Sequence, residues 1–206
     1  MPRTIHMHTP ISENEVRSLQ LDDIVYLTGD SYVMLYPEHF TRILEFIHEG
    51  KALPIQLQDG VIYNTGAIYR KTLEGGYDLR ALGATTSSKF NAYMPELIKR
   101  TGIRAVIGKG GMDAATLAAM QECGCVYLAI VGGCSAVYTP MSEISGEFWP
   151  ELTPMDNQRL SLRMKEFGPL YVAMDANGNS IYDQCANNAR DSLPGIYASL
   201  GIKETA

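Results

Sequence analysis

The chain has 206 residues, of which 46% are hydrophobic and 19% are charged, and its formal net charge is −6. These proportions are typical of a globular protein with one sizeable core. The acidic balance, without any run of Lys or Arg, argues against a nucleic-acid or acidic-membrane partner, since both attract a basic patch. The N-terminus MPRTIHMHTPI has no long apolar region, and no stretch reaches about 18 apolar residues, so we expect no signal peptide or membrane span and a cytoplasmic protein.

The four cysteines show no metal-binding pattern. They form no C-x-x-C pair and have no companion histidines at zinc spacing; they are Cys123, Cys125, Cys134 and Cys185. We predict buried or idle thiols in a reducing compartment. His6 and His8 would share one face of the first strand, but without carboxylate or cysteine support they do not predict a metal site.

The first half of the chain alternates strands with one clear helix. Residues 3–11 alternate apolar and polar side chains, and residues 23–28 form a short apolar run, so both are predicted strands. An amphipathic helix is predicted to open at Pro37 and to end at Gly50. Residues 55–83 are rich in Tyr, Val and Ile and interrupted by glycines, which favours strands with tight turns.

The middle of the chain is predicted to form a βαβ unit. A helix begins at Pro95 and stops at Gly102, and residues 103–107 then form a buried strand. After a glycine turn, an alanine-rich helix over residues 113–122 is capped by its first residue, and the next strand covers residues 126–131. We expect a right-handed crossover and parallel pairing of the two strands in a covered sheet.

Signals in the last third are weaker. Residues 142–156 are rich in proline and acidic residues and are expected to wrap over the surface, and a strand is predicted at residues 168–174. The sequence DANGN at residues 175–179 predicts a hairpin turn, with residues 180–182 returning antiparallel.

The predicted fold is therefore α/β, with a mixed sheet and flanking helices. We predict one domain over residues 1–183 and a loosely attached C-terminal tail over residues 184–206.

Two polar clusters, ATTSSKFNAY and IGKGGM, are the strongest pointers to chemistry. The first supplies four consecutive hydroxyls and a cation, and the second embeds one lysine among glycines; the residues are Thr85, Thr86, Ser87, Ser88 and Lys89, and Gly108, Lys109, Gly110 and Gly111. Such loops can aim N–H groups, hydroxyls and an ammonium at a carboxylate or phosphate. A purely structural glycine turn and a hydroxyl-rich turn that satisfies its own backbone are the open alternatives.

The glycine cluster does not match a nucleotide-binding P-loop. The first glycine of that motif is absent at the required offset, and Gly110 stands where Ser or Thr would bind magnesium. Lys109 comes just before a helix N-terminus, where a positive charge gains nothing from the helix dipole, and this position favours an anionic ligand.

Five segments in this order resemble one known family. They are YLTGD near residue 26, IYNTGAIYRK near 62, GATTSS near 83, TGIRAVIGKGGM near 101 and KEFGPLYVAMDANGNSIY near 165. The chain resembles, over residues 3–183, the β-type part of class I iron-sulfur hydro-lyases. That part comprises the β subunits of L(+)-tartrate dehydratase and of two-subunit class I fumarate hydratase, and the C-terminal domain of the one-chain enzymes.

The resemblance implies a swivelling β/β/α domain and reversible dehydration of a 2-hydroxy (di)carboxylic acid such as malate or tartrate. It implies an α-type partner subunit whose cysteines hold a [4Fe-4S] cluster, with no metal ligand from this chain. Thr85 would transfer the proton once activated by an aspartate of the partner. The substrate-binding residues would be Lys109, Lys89, Thr86, Ser87, Gly108, Gly110 and Gly111.

Two departures from the family pattern concern the substrate. Lys89 stands where the family has an arginine, and Leu35 and Tyr36 stand where it has an Arg-Asp pair. Three explanations are open: a substrate that differs at one end, a charge supplied by Arg42 or His39, or a loss of catalysis.

Two alternative functions follow from these departures and from the anion-binding pattern. The first is a divergent, non-catalytic paralogue that acts as a carboxylate-binding or assembly module. The second is an unrelated sugar or nucleotide-phosphate binder. For the enzyme we expect a hetero-oligomer, with αβ and α2β2 assemblies both open.

Overall fold

The computed structural model describes residues 2–149 and 159–202. Within them, nine strands form: β1 Thr4–His8, β2 Ile24–Val33, β3 Val61–Tyr63, β4 Thr65–Lys71, β5 Tyr77–Ala84, β6 Ala105–Gly108, β7 Val126–Ala129, β8 Ser142–Glu147 and β9 Leu160–Met174. The α-helices are α1 Glu13–Arg17, α2 Pro37–His48, α3 Met94–Thr101, α4 Ala114–Cys123 and α5 Ile181–Ser199. Short 3₁₀ helices cover Ser87–Phe90 and Ser135–Met141.

Five strands close into a small barrel. The pairs β2–β3, β3–β6 and β6–β7 are parallel, and β9 closes the circle by pairing antiparallel with both β7 and β2. Strand β1 pairs with β2, and β8 pairs with β9, so both extend the sheet beyond the closed part. Strands β4 and β5 form a separate antiparallel hairpin. The predicted α/β fold with a mixed sheet and flanking helices is confirmed.

The barrel strands bury both faces, and their side chains alternate between two cores. Inside the barrel lie Val61, Tyr63, Ala105, Ile107, Val126 and Leu128. On the outer face, Ile62, Val106 and Tyr127 pack against helix residues such as Phe40, Leu97 and Met120. This double burial explains why the strand sequences are continuously apolar.

Helices α2, α3 and α4 begin and end where the sequence signals place them, whereas α1 was not predicted. Pro37 occupies the first turn of α2, and Gly102 ends α3 at φ 68°. Asp113 caps α4 by accepting a hydrogen bond from the Thr116 amide. The predicted βαβ unit is confirmed, because β6 and β7 pair in parallel around α4. No helix in the described ranges is long and apolar enough to cross a bilayer.

One expectation for the last third is wrong, and two are confirmed only in part. Ser142–Glu147 does not wrap over the surface, since it forms a strand paired with β9; residues 150–156 of that predicted segment lie outside the described residues. Strand β9 begins at Leu160, earlier than predicted. After the predicted turn only Ser180 bridges back to Met174, and the chain then enters α5.

Helix α5 buries none of its residues, and its first two residues, Ile181 and Tyr182, pack partly against the outer core. The family resemblance and the turn signals end near its first turn, so the sequence did not predict it. That residues 184–206 are a loosely attached tail stays a prediction.

Candidate active site

The carboxyl ends of the parallel barrel strands meet at one edge. The Met34 amide, just after β2, donates to the Tyr63 carbonyl at 2.9 Å, and the Asn64 amide, just after β3, donates to the Ile107 carbonyl at 2.8 Å. The segments that follow these strands therefore leave the barrel side by side. In α/β folds this edge is where ligands usually bind.

The two polar clusters lie against each other at this edge. Thr85 donates its amide to the Asn64 carbonyl at 2.9 Å, and Ser87 donates its amide to the Lys109 carbonyl at 3.0 Å. Between them, Thr86 and Lys109 form an isolated parallel β-bridge. The structure thus places the hydroxyl cluster and the glycine cluster together, as the interpretation of a single anion cradle requires.

A buried polar network lies directly beneath the cradle. Asn64 Nδ2 donates to Ser87 Oγ at 2.8 Å, and the Tyr127 hydroxyl donates to the same oxygen at 3.0 Å. All three residues are fully buried. Burial raises the pKa of the Tyr127 phenol, and hydrogen bonding with Ser87 and with the Gly111 backbone opposes that rise. The phenol therefore stays protonated and acts as a donor.

The glycines around Lys109 are required by space and by backbone conformation. A Cβ on Gly108 would collide with Ser87 Oγ and would lie 3.0 Å from the Tyr127 hydroxyl. Gly110 and Gly111 have φ values of 82° and 70°, which side chains disfavour. A Cβ on Gly111 would also collide with the ring of Tyr182.

Four of the side chains predicted to meet a substrate are unengaged among the described residues, whereas Ser87, also predicted to bind it, is buried in the network. Thr85 and Thr86 are partly buried, Lys109 is partly buried and Lys89 is exposed. Within the described ranges no residue hydrogen-bonds to the two threonine hydroxyls or pairs with the two ammonium groups. Two hydroxyls and two cations are therefore available to an external carboxylate.

Helix N-termini add to the positive potential of this edge. Helices α2 and α4 each follow a parallel strand and return to the start of the next, so their first turns lie at the carboxyl end of the barrel. Helix α3 starts shortly after the hydroxyl cluster. The exposed amides of such ends favour anions.

The residues at the position of the family's Arg-Asp pair are not a charge pair. Leu35 is partly buried, and the exposed Tyr36 makes an edge contact with His39 at 5.7 Å between ring centroids. His39 is fully buried, and its Nδ1 accepts the Leu35 amide at 3.2 Å. A ring nitrogen that accepts carries no proton, so His39 is neutral here.

Arg42 is engaged elsewhere on α2. Its guanidinium lies 4.7 Å from the centroid of the Phe46 ring and 3.6 Å from the Glu45 carboxylate. In this structure the Arg42 guanidinium is thus held along α2, and His39 brings no charge. The cations that the two clusters themselves carry are Lys89 and Lys109.

The cysteines do not form a metal centre within the described part of the chain. Cys125 is fully buried, which raises the pKa of its thiol, and partial burial does the same for Cys123. Cys134 and Cys185 are exposed and free. No group of three or more His, Cys, Asp or Glu side chains among the described residues is arranged to hold a metal ion.

The comparison with known protein families agrees with this architecture. The sequence profile described as "Fumarase C-terminus" matches residues 1–185. The chain belongs to the fumarase C-terminus family. The match spans every segment that builds the cradle and ends within the first turns of α5.

Relatives in the fumarase C-terminus family carry two kinds of name. A Methanocaldococcus jannaschii protein provisionally named L(+)-tartrate dehydratase subunit beta is 34% identical over 184 residues, which are 89% of this chain and 93% of the relative. The L(+)-tartrate dehydratase subunit beta of Escherichia coli strain K12 is 31% identical over 174 residues, 84% of each chain. A Geobacillus stearothermophilus protein provisionally named fumarate hydratase class I is 32% identical over 192 residues, which are 93% of this chain and 36% of that longer protein.

Sequence reasoning missed the residues that hold the cradle together. Asn64 ends a strand-like run, and Tyr127 lies within another, so both were read only as parts of strands. Gly132, whose added Cβ would lie 3.2 Å from Lys109 Cδ, was also missed. A polar Asn directly after a buried strand was the one local signal available.

Proposed function

We propose that this chain is the β subunit of an iron-sulfur hydro-lyase that reversibly dehydrates a 2-hydroxy (di)carboxylic acid such as malate or tartrate. The observation that carries the proposal is the bridge between Thr86 and Lys109, which brings the backbone of the hydroxyl cluster alongside the backbone of the lysine loop. Family membership and the names of the relatives support the same reaction class.

Lys109 binds one substrate carboxylate, and Lys89 contributes the second positive charge. Both ammonium groups lack a carboxylate partner among the described residues, so a bound anion does not have to displace an existing ion pair. Gly110 and Gly111 keep the backbone beside Lys109 free of side chains, which lets the anion approach closely.

Thr85 moves the proton at the carbon next to the one that carries the hydroxyl. A free threonine hydroxyl is too weak a base for this task and needs a basic neighbour. No described carboxylate contacts Thr85 in this chain, so the activating group is assigned to the partner subunit. The active site is then shared between two chains.

The [4Fe-4S] cluster is assigned to the α-type partner. The donor set of this chain fits that assignment, because its cysteines are scattered and two of them are buried or partly buried with raised thiol pKa values. When bound, the cluster would supply a Lewis acid for the substrate hydroxyl and carboxylate.

The test is co-expression with the α-type subunit, anaerobic reconstitution and an assay of malate, fumarate, tartrate and mesaconate conversion. Thr85→Ala should lower kcat by about 10²- to 10⁴-fold, whereas Thr85→Ser, which keeps the hydroxyl, should retain most of the rate. Thr4→Ala on strand β1 is the matched control. Absence of turnover for all of these acids would reject the proposal.

A second candidate, a carboxylate-binding or assembly module without catalysis, is favoured by one observation. The edge residues Leu35 and Tyr36 bring no charge, and His39 beside them is neutral. Such a module would bind dicarboxylates equally well before and after Thr85→Ala, and its complex would turn over none of them.

A further inference from the structure

We infer that Asn64, Ser87 and Tyr127 are positioning residues that fix Thr85 and Lys109 relative to each other. The inference rests on the proposed function and extends it to side chains that are buried beneath the cradle. Its basis is the buried network in which Asn64 Nδ2 and the Tyr127 hydroxyl both donate to Ser87 Oγ, at 2.8 and 3.0 Å.

The network joins segments that are distant in the chain. Asn64 follows β3, Ser87 belongs to the 3₁₀ helix after β5, and Tyr127 lies on β7. Gly108 at the end of β6 lies between them, since a Cβ there would collide with Ser87 Oγ and approach Asn64 Cβ to 3.4 Å. One hydroxyl therefore joins the 3₁₀ helix to the residue after β3 and to β7, and the end of β6 packs closely against it.

The backbones of Thr85 and Lys109 are each hydrogen-bonded to the backbone of a member of this network. The Thr85 amide donates to the Asn64 carbonyl, and the Lys109 carbonyl accepts the Ser87 amide. A shift of Ser87 or Asn64 therefore moves the backbone that carries the Thr85 and Lys109 side chains. A displacement of about 1 Å at a reacting group can cost about 10²-fold in rate.

The polar character of the network favours a role in positioning Thr85 and Lys109 over a role in stabilising the fold. Ser87 is the fully buried member of the four-hydroxyl cluster, while Thr85 and Thr86 are partly buried and Ser88 is exposed. Apolar residues of the same shape can fill such a space with little loss of stability, but only a hydrogen-bonded network selects a single arrangement. Functional residues that are attached to rigid strands are positioned more precisely than residues on free loops.

The first measurement needs no catalysis. In Tyr127→Phe and in Ser87→Ala, amide hydrogen exchange followed by NMR should accelerate about tenfold at Thr85 and Ser87. The amide of Ile24, bonded to the Arg3 carbonyl at the far edge of the sheet, should be unchanged. The matched control is Tyr138→Phe, which removes a partly buried hydroxyl that donates to the Pro169 carbonyl at 3.0 Å.

The second measurement uses the reconstituted complex with the α-type subunit. Tyr127→Phe should lower kcat by about 10²-fold with little change in KM, whereas Tyr138→Phe should leave both near the wild-type values. The double variant Tyr127→Phe/Ser87→Ala should be no slower than the slower single variant, because both changes break one network.

The two proposals fail in different ways. If the wild-type complex converts no hydroxy acid but exchange accelerates at Thr85 and Ser87, the hydro-lyase function is rejected and the positioning network stands. If Tyr127→Phe matches Tyr138→Phe in both exchange and kcat while the wild-type complex is active, the network is only structural and the inference is overturned.

Discussion

The Lys109 carbonyl accepts a hydrogen bond from the Ser87 amide at 3.0 Å, and this bond joins two loops that a helix and a strand separate in the chain. The cradle is consequently built by main-chain geometry at the carboxyl edge of the barrel. The side chains of Thr85 and Lys109 remain free for a ligand, because neither is needed to hold the loops together.

We predict that Gly108→Ala and Ser87→Ala are strongly non-additive. Alanine at Gly108 should cost about 1–3 kcal/mol of unfolding free energy, because its Cβ collides with Ser87 Oγ. Ser87→Ala alone should cost a similar amount by leaving two buried donors unsatisfied. Since Ser87→Ala also removes the colliding atom, urea denaturation of the double variant should show a loss clearly smaller than the sum.

Gly83→Ala provides the control for that experiment. Gly83 lies in β5 and has no atom within 4 Å of an added Cβ, so its replacement should be nearly neutral. Additive losses in the Gly108 and Ser87 pair would contradict the close contact described above.

Lys109→Gln should weaken the binding of a dicarboxylate such as L-tartrate to the complex about 10- to 100-fold. The loss corresponds to one hydrogen bond to a charged group, about 1.5–3 kcal/mol. Calorimetric titration at two salt concentrations measures it, and the wild-type affinity should fall more steeply with salt than that of the variant. Lys165→Gln, which removes an exposed charge from β9, should leave the affinity unchanged; an equal loss in both variants would show that only net charge matters.

Local signals predicted the parts of the fold that local physics determines. Pro37 and Gly102 mark helix ends, and the Asp113 cap was evident, because capping depends on residues a few positions apart. The hydroxyl and glycine clusters were recognisable for the same reason. Their mutual approach was only an expectation until the strand order was known.

Barrel closure was not predictable, because it depends on one long strand with several partners. Strand β9 pairs with β2, β7 and β8. It contains Glu166, at φ 48°, and Gly168, and these two residues interrupt the strand pattern in the sequence. The contact of Tyr127 with Ser87 depends on that closure. An aromatic residue inside an apolar run carries no local sign that its hydroxyl reaches a site loop.

Leu35→Arg should shift the substrate preference of the complex toward acids with two carboxylates. Leu35 follows Met34, whose amide bonds the Tyr63 carbonyl, and so it leaves the barrel next to Asn64 and the cradle. A guanidinium there could bind a second carboxylate bidentately. The ratio of kcat/KM for malate to that for a 2-hydroxy monocarboxylate should rise at least about tenfold, the effect of one charged hydrogen bond. Leu35→Gln is the uncharged control, and an unchanged ratio would place Leu35 outside the pocket.

Asp23→Asn should make the stability of the protein depend less on pH under acidic conditions. Arg3 donates from Nε to the buried Asp23 carboxylate at 2.8 Å, and this hydrogen bond lowers the pKa of Asp23 below its ordinary value. A lowered pKa in the folded state contributes stability above the unfolded value of about 4, and that contribution disappears as the pH falls through the folded pKa. The difference in Tm between wild type and variant should therefore shrink between about pH 6 and pH 2. Asp22→Asn, at an exposed neighbour, is the control that removes a carboxylate without breaking the bond to Arg3.

Removal of residues 184–206 should change the free energy of unfolding by less than about 0.5 kcal/mol. Helix α5 buries none of its residues, so its loss removes little apolar contact from the domain. The chain ending at residue 180 is the informative comparison, because it also loses Tyr182, whose ring covers Gly111 beside the cradle. That shorter chain should melt lower and exchange the Ser87 amide faster. A large loss already in the chain that ends at residue 183 would show that α5 belongs to the domain.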